Sequence, residues 1–208
     1  VIEQLLLNIE GFIANAQIKM FRGEGIVNAD KTVTVDEVTF SATNIILATG
    51  SRPFVPPIKG VETANYFTTD TFFNIAKLPK QLTIIGGGVI GLELGQVYLR
   101  LGSQVSVVEF ADRVLPTMDG AVSKEITKVL KKAGMKFYTS HKVQGVERNG
   151  DVVIVKAENA KGEIITLEGD YSLVSVGRRP YTDGLNADKA GVKISDRGQV
   201  EVNDHLQT

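Results

Sequence analysis

The sequence predicts an α/β protein: a parallel sheet wound with helices, an antiparallel three-stranded β-meander, and an incomplete β-rich strip ahead of both. Three observations predict it. Between Leu82 and Tyr138, strand-length apolar runs alternate with two helix-length amphipathic stretches. From Val143 to Leu167, three runs of strand composition are separated by Asn149-Gly150-Asp151 and Ala160-Lys161-Gly162, both tight-turn chemistries. Ahead of Gly50, short β-branched and aromatic segments follow one apolar-periodic stretch.

The elements follow in order. Ile2, Leu5, Leu6, Ile9 and Ile13 recur near the helical period and predict an amphipathic helix within Val1 to Ala16, interrupted or ended around Gly11. Strands are predicted at Ile18 to Phe21, Gly25 to Asn28, Thr32 to Val35, Val38 to Ser41 and Asn44 to Ala48. Pro53, Pro56 and Pro57 then interrupt the pattern, since proline lacks an N–H and fixes φ, and a domain boundary is expected there. A short helix is predicted over Thr69 to Ala76, capped by a threonine hydroxyl. From Leu82 the order is strand, glycine turn, helix and strand. Ile90, Leu94, Val97, Tyr98 and Leu101 make one apolar stripe before Gly102, and Val105 to Phe110 is the next strand. Val122, Ile126, Val129, Leu130 and Ala133 make a second stripe before Gly134, followed by a strand at Met135 to Tyr138. After the meander, Tyr171 to Val176 returns as an apolar strand, and the tail is loop-rich.

Composition narrows the function classes. With 208 residues and 43% hydrophobic content, the chain is long enough to bury one good core or two smaller ones. Lys and Arg number 23 against 24 Asp and Glu, so no net basic field draws the chain to nucleic acid or to an anionic membrane. The longest apolar runs are strand-sized, far below the ~20 residues of a membrane helix. The sequence starts at Val1 without a secretory leader, and the chain is expected to begin inside a longer protein. Cysteine is absent, which removes disulfides, thiolate metal sites and nucleophilic thiols from these residues.

The sharpest signal is Gly86-Gly87-Gly88-Val89-Ile90-Gly91, which fits G-x-G-x-x-G between an apolar strand and an amphipathic helix. In that pattern Gly86 permits the tight turn, Gly88 lets backbone approach a pyrophosphate, and Gly91 lets helix pack closely on strand. Unpaired N–H groups and the helix dipole would stabilise the phosphates without a lysine. Glu109 ends the next strand about twenty residues on, where a carboxylate accepts hydrogen bonds from an adenosine ribose and repels a 2′-phosphate. A Rossmann-like NAD-binding domain, selective against NADP, is the expectation.

With these residues in view, the chain resembles the pyridine nucleotide-disulfide oxidoreductases, and among them the dihydrolipoamide dehydrogenase branch. The resemblance covers essentially the whole chain. Thr83 to Gly95 is similar to that family's NAD motif, and Val107-Val108-Glu109-Phe110 and Val176 to Thr182 are similar to its later signatures. The resemblance implies an NAD domain inserted between two halves of an FAD domain. The expected boundaries are 1–52 for the end of the first FAD half, 53–80 for a linker, 81–180 for the NAD domain and 181–208 for the return towards the second half. It implies that Leu92 and Glu93 belong to the NAD motif, with Glu93 near the nicotinamide half, Val143 near the adenosine half, and Gly177 with its backbone near the nicotinamide. It implies that Gly25 lies near the FAD adenine and that Thr49, Gly50 and Ser51 belong to a second flavin-nucleotide motif. Glu93 reads equally well as a surface acid complementing the helix dipole. Arg178 and Arg179 could steer phosphates but read as a solvated arginine pair before Pro180, His141 and His205 receive no role, and Lys124, Lys128, Lys131 and Lys132 read as the wet face of their helix.

The family's reaction passes electrons from dihydrolipoamide, carried on a lipoyl domain of a 2-oxo acid dehydrogenase or glycine cleavage complex, through a disulfide and FAD to NAD. By the resemblance, the redox cysteines lie ahead of Val1 and the His-Glu base lies beyond Thr208. No catalytic or metal-ligating residue is expected here, and the isolated chain is expected to be inactive. A homodimer, in the cytoplasm or alternatively in the mitochondrial matrix, is expected of the complete enzyme. Another flavoprotein disulfide reductase or NADH oxidase of the same architecture, and a non-catalytic redox-sensing NAD module, remain open at this point.

Overall fold

Leu82, Ile84, Val105, Val107 and Leu173 are almost wholly withdrawn from solvent, because each lies in a strand covered on both faces. A computed structural model describes residues 2–64 and 66–208. They divide into two units, 51–179 and 1–50 with 180–208.

In the unit formed by 1–50 and 180–208, helix α1 (Ile2–Asn15) precedes an antiparallel sheet of β1 (Gly25–Val27), β2 (Val33–Val35) and β3 (Val38–Phe40). A small core of Val27, Leu185 and Ala187 joins the early strip to the late segment, and Val27 N–H donates to Leu185 O at 2.9 Å. No residue of α1 is buried, and Phe12 is 71% exposed. Two predicted strands do not form. Ile18 to Phe21 is irregular, although Phe21 still packs on Phe40 at 4.4 Å between ring centroids. Asn44 to Ala48 makes no ladder either: Leu47 packs on the small core while Ile46 is 88% exposed. Strand composition is present in both, but neither has a ladder partner among the described residues, and a lone strand leaves its amides to water.

The 51–179 unit begins with β4 (Ser51–Pro53), so the strand starts inside the proline-rich stretch, where a short edge strand tolerates a missing N–H. Next comes β5 (Tyr66–Phe67), and then a 3-10 turn at Phe72–Asn74 replaces the α-helix predicted over Thr69 to Ala76. Thr71 Oγ1 does accept a bond, from Thr68 N at 3.0 Å, which closes a tight turn in place of capping a helix. The unit continues through β6 (Gln81–Ile85), α2 (Val89–Arg100), β7 (Gln104–Val108), α3 (Gly120–Lys132) and β8 (Lys136–Tyr138). The meander is β9 (His141–Asn149), β10 (Val152–Asn159) and β11 (Ile164–Gly169), followed by β12 (Tyr171–Val174) and β13 (Arg178–Pro180). The parallel sheet runs β5-β12-β6-β7-β8, with Ile84 opposite Leu173 on one side and Val107 on the other.

The helices pack through a face that only partly coincides with the predicted stripes: Leu94 and Tyr98 on α2 and Ile126 and Leu130 on α3 meet the core as expected. In α2 the buried residues are Gly91, Leu92, Gly95 and Tyr98, whereas Val97 and Leu101 are 47% and 58% exposed. The reason is close approach: a Cβ at Gly95 would lie 2.6 Å from Ile84 Cδ1, so the glycines let the helix settle onto the sheet. In α3 the inward residues are Ser123, Ile126, Thr127 and Leu130, and Val122 and Val129 point out. Ser123 Oγ donates to Val114 O at 2.6 Å, and the Asp119 carboxylate caps the helix by accepting from Ala121 N at 2.7 Å. The opposite face of the sheet is closed by the meander, where Val146, Val153 and Val155 pack on Ile85 and Val174.

Two substitutions test this core by urea denaturation. Leu173→Ala, at a fully buried position of the interior strand β12, is expected to cost about 2–5 kcal/mol through lost contacts and a cavity. Ser172 is buried with a hydroxyl that finds no partner among the described residues, so Ser172→Ala is expected to raise stability by about 1 kcal/mol.

Candidate functional site

The site grows from the parallel register of β6 and β7. Ile85 pairs with Val108, so the turn after one strand and the acid after the next emerge side by side. Gly86 N–H donates to Val108 O at 2.8 Å and carries φ 106°, a conformation that glycine adopts without strain. A Cβ there would meet Ser175 O at 2.6 Å, and one at Gly91 would overlap Gly86 O, so both positions are closed to larger residues. At Gly88, by contrast, a Cβ would meet nothing within 4 Å. Gly88 is the N-cap of α2, and no side chain caps it. Leu92 N–H to Gly88 O at 3.1 Å is a helix-closing bond of that first turn, so the amides of Val89, Ile90 and Gly91 have no carbonyl four residues back within the helix.

Glu109 faces this turn. Its Oε2 accepts from Gly87 N at 2.6 Å and its Oε1 from Ala111 N at 2.7 Å. Each carboxylate oxygen has two lone pairs, so both retain acceptor capacity. The loop behind the acid braces the turn from the other side: Leu115 N–H donates to Gly87 O at 2.9 Å, and Leu115 itself has φ 48°.

Gly86, Gly88, Val89, Ile90, Glu109, Val143 and Gly177 line one groove of about 930 Å³, and Phe54, Phe110 and His141 contribute to its walls. Phe110 is 75% exposed. The other sequence candidates stand elsewhere. Gly87 and Gly91 are buried beneath the turn, Leu92 is in the hydrophobic core, and Glu93 is exposed on α2 outside the groove lining. Ser51 lies in the same unit, where Arg178 Nε donates to Ser51 Oγ at 2.8 Å. Gly25, Thr49 and Gly50 belong to the other unit, all three exposed, and Thr49 and Gly50 do not end a strand as the sequence suggests.

Sequence reasoning missed several contributors. Ser175 Oγ donates towards Gly86 O at 3.2 Å and helps fix the turn. His141 lines the groove, with its N–H on Glu109 O at 3.0 Å and its Nδ1 2.6 Å from Thr139 O. A lone serine or histidine carries no spacing signal, and only the meeting of β7, β9 and β12 at one end of the sheet reveals them. Arg179 stacks over Phe54 at 4.0 Å, and Arg178 Nη1 donates to Thr69 Oγ1 at 3.0 Å, so this arginine pair is structural cement.

Comparison with known proteins agrees with this geometry. The family model for pyridine nucleotide-disulphide oxidoreductases matches residues 1–208. The chain is 37% identical to the mitochondrial dihydrolipoyl dehydrogenase of Pisum sativum, covering 100% of this chain and 42% of that protein. It is also 37% identical to the dihydrolipoyl dehydrogenase of Thermus scotoductus, covering 100% and 45% respectively. Among solved structures, the Cu(II) complex of the HOCl-induced flavoprotein disulfide reductase RclA from Escherichia coli superposes with a TM-score of 0.85 at 28% identity, over 97% of this chain and 46% of that one. The chain thus spans less than half the length of the relatives it matches. Similarity along its full length and the matched family model together mean that the chain belongs to the pyridine nucleotide-disulphide oxidoreductase family.

Proposed function

We propose that residues 51–179 hold NAD in the groove after β6, as the nucleotide-binding part of a flavin-dependent dihydrolipoamide dehydrogenase. The carrying observation is the juxtaposition of an uncapped helix start with a carboxylate bonded to the same turn. The donors fit the group. Amides of the first turn of α2 point where a diphosphate is stabilised by hydrogen bonds and the helix dipole, and Gly88 leaves room for close approach. The spare lone pairs of Glu109 suit a vicinal diol, and its charge opposes a phosphate ester at the same place. A groove of about 930 Å³ falls within the range of small-molecule and cofactor sites. When bound, NAD supplies the hydride acceptor and FAD the electron relay; the chain supplies position and electrostatics. In the second unit, Gly25, Thr49 and Gly50 are small and exposed, which suits contact with a flavin nucleotide.

The relatives named dihydrolipoyl dehydrogenase support dihydrolipoamide as the substrate of the complete enzyme, and the proposal extends to its presentation on a lipoyl carrier domain and to a homodimeric enzyme. Thiol–disulfide exchange requires a thiolate, and these residues contain no cysteine, so we assign them the nucleotide half of the reaction. Among the described residues no helix is long and apolar enough to cross a membrane. Relatives named as mitochondrial support the mitochondrion as one location for the complete enzyme, and the cytoplasm is the proposed alternative. The likeness to a flavoprotein disulfide reductase favours one alternative, another reductase of the same architecture with a different disulfide substrate.

Titration of Glu109→Ala with both nucleotides tests the reading. Removing charge-assisted bonds worth about 1.5–3 kcal/mol is expected to weaken NADH roughly 10-fold or more and NADPH clearly less, because loss of the brace acts on both while loss of the charge favours the phosphate ester. Equal losses for both would mean that Glu109 only props up the glycine turn. Gly91→Ala drives a methyl group into Gly86 O and is expected to abolish NADH binding, despite the better helix propensity of alanine. Lipoamide-dependent NAD reduction by the 208-residue chain with added FAD is expected to be absent, and robust turnover would refute the division of labour.

A further inference from the structure

A second cavity of about 360 Å³ lies between α3 and β8 and shares no lining residue with the nucleotide groove. Arg113, Lys124 and Lys131 line it, together with Ser123, Thr127 and Thr139, over an apolar floor of Val114 and Phe137. All four α3 lysines are exposed, as the wet-face reading expects, but they differ in their surroundings. Lys128 pairs with Glu125 at 3.7 Å, whereas Lys124 and Lys131 line the cavity with Thr127 between them and have no ion-pair partner among the described residues. Seven residues separate the two lysines, two helical turns or about 10 Å along the axis. Arg113 is held in place: its Nη2 donates to Pro116 O at 3.1 Å, and its Nη1 lies 3.5 Å from where a Cβ of Gly120 would stand. That guanidinium therefore sits over the start of α3, close in sequence to the Asp119 carboxylate that caps the helix. Against these three cations the lining offers one acid, Asp112, and the neighbouring Asp119 carboxylate at the helix cap adds a second negative charge, which leaves an excess of one positive charge.

From this arrangement we infer that the cavity between α3 and β8 is a binding site for a small polyvalent phosphate, clamped by Arg113 and Lys124 at one end and Lys131 at the other. A planar guanidinium grips phosphate oxygens in a bidentate manner, and ammonium groups on flexible stems adapt to the remaining charge. The volume lies at the small end of ligand sites, which suits a short polyphosphate rather than a second dinucleotide.

Isothermal titration of the full chain with tripolyphosphate at fixed ionic strength is the test. Saturable binding is expected, at least tenfold weaker in the Lys124→Ala/Lys131→Ala double variant and unchanged in Lys128→Ala. Addition of saturating NADH is expected to leave the tripolyphosphate affinity intact. Binding that survives the double variant, that falls equally in Lys128→Ala, or that NADH abolishes would overturn the site, the last outcome by locating the anion on the glycine turn. Because all three lysines are exposed, the variants are expected to keep the parent's urea midpoint. Single Lys124→Gln and Lys131→Gln variants, each with an intermediate loss, provide the same reading should the double variant be unstable. The inference does not rest on the nucleotide reading, since a failed phosphate titration leaves NADH binding untouched.

Discussion

The carboxylate of Glu109 accepts from Gly87 N and from Ala111 N, and through those two bonds the end of one strand fixes the backbone at the end of its neighbour. Everything at the groove depends on that contact and on the parallel register beneath it. Were β6 and β7 shifted by one residue, the acid would leave the turn and the apolar side chains would exchange faces. The arrangement uses a negative charge to hold amides in place while keeping other lone pairs available. One residue therefore both builds the turn and contributes to its chemistry.

Close approach explains what the helix periodicity did not. Counting apolar side chains selects Ile90, Leu94, Val97, Tyr98 and Leu101 on α2; of these Tyr98 is buried and Leu94 packs on the core, but the helix also buries Gly91, Leu92 and Gly95, which the count leaves out. Glycine contributes little hydrophobicity, but its missing side chain lowers the helix onto Ile84 and brings the first turn beside Gly86. The same spacing that brings the first turn of α2 beside Gly86 therefore sets the packing of the whole helix. On α3 the inward face carries Ser123 and Thr127, whose hydroxyls are satisfied by carbonyls at 2.6 Å, so polar residues occupy positions that a periodicity count assigns to valine.

The alternation of strand and helix, the glycine turn, its acid and the meander were legible because each is encoded locally, in periodicity, turn residues or fixed spacing. Ile18 to Phe21 and Asn44 to Ala48 show the converse. Both have strand composition, but a strand exists only when a neighbour completes its ladder, and composition carries no information about the neighbour. The site divides in the same way. Gly86, Gly88 and Glu109 follow from spacing, whereas Ser175, just after β12, and His141, at the start of β9, are brought to the turn by topology alone. The exposed apolar face of α1 and the small core shared by Val27 and Leu185 belong to a unit assembled from both ends of the chain, consistent with family membership and with relatives more than twice as long.

The central claim is that the turn after β6, braced by Glu109, receives the diphosphate of a dinucleotide. Amide NMR of the 15N-labelled chain titrated with NADH tests it most directly, because the donors in question are backbone N–H groups. The account predicts that the largest shifts fall on Gly87, Gly88, Val89, Ile90 and Ala111, with little change at Lys124 or Lys131 on α3. Saturating NADH that left those five amides unmoved while shifting residues elsewhere would contradict it.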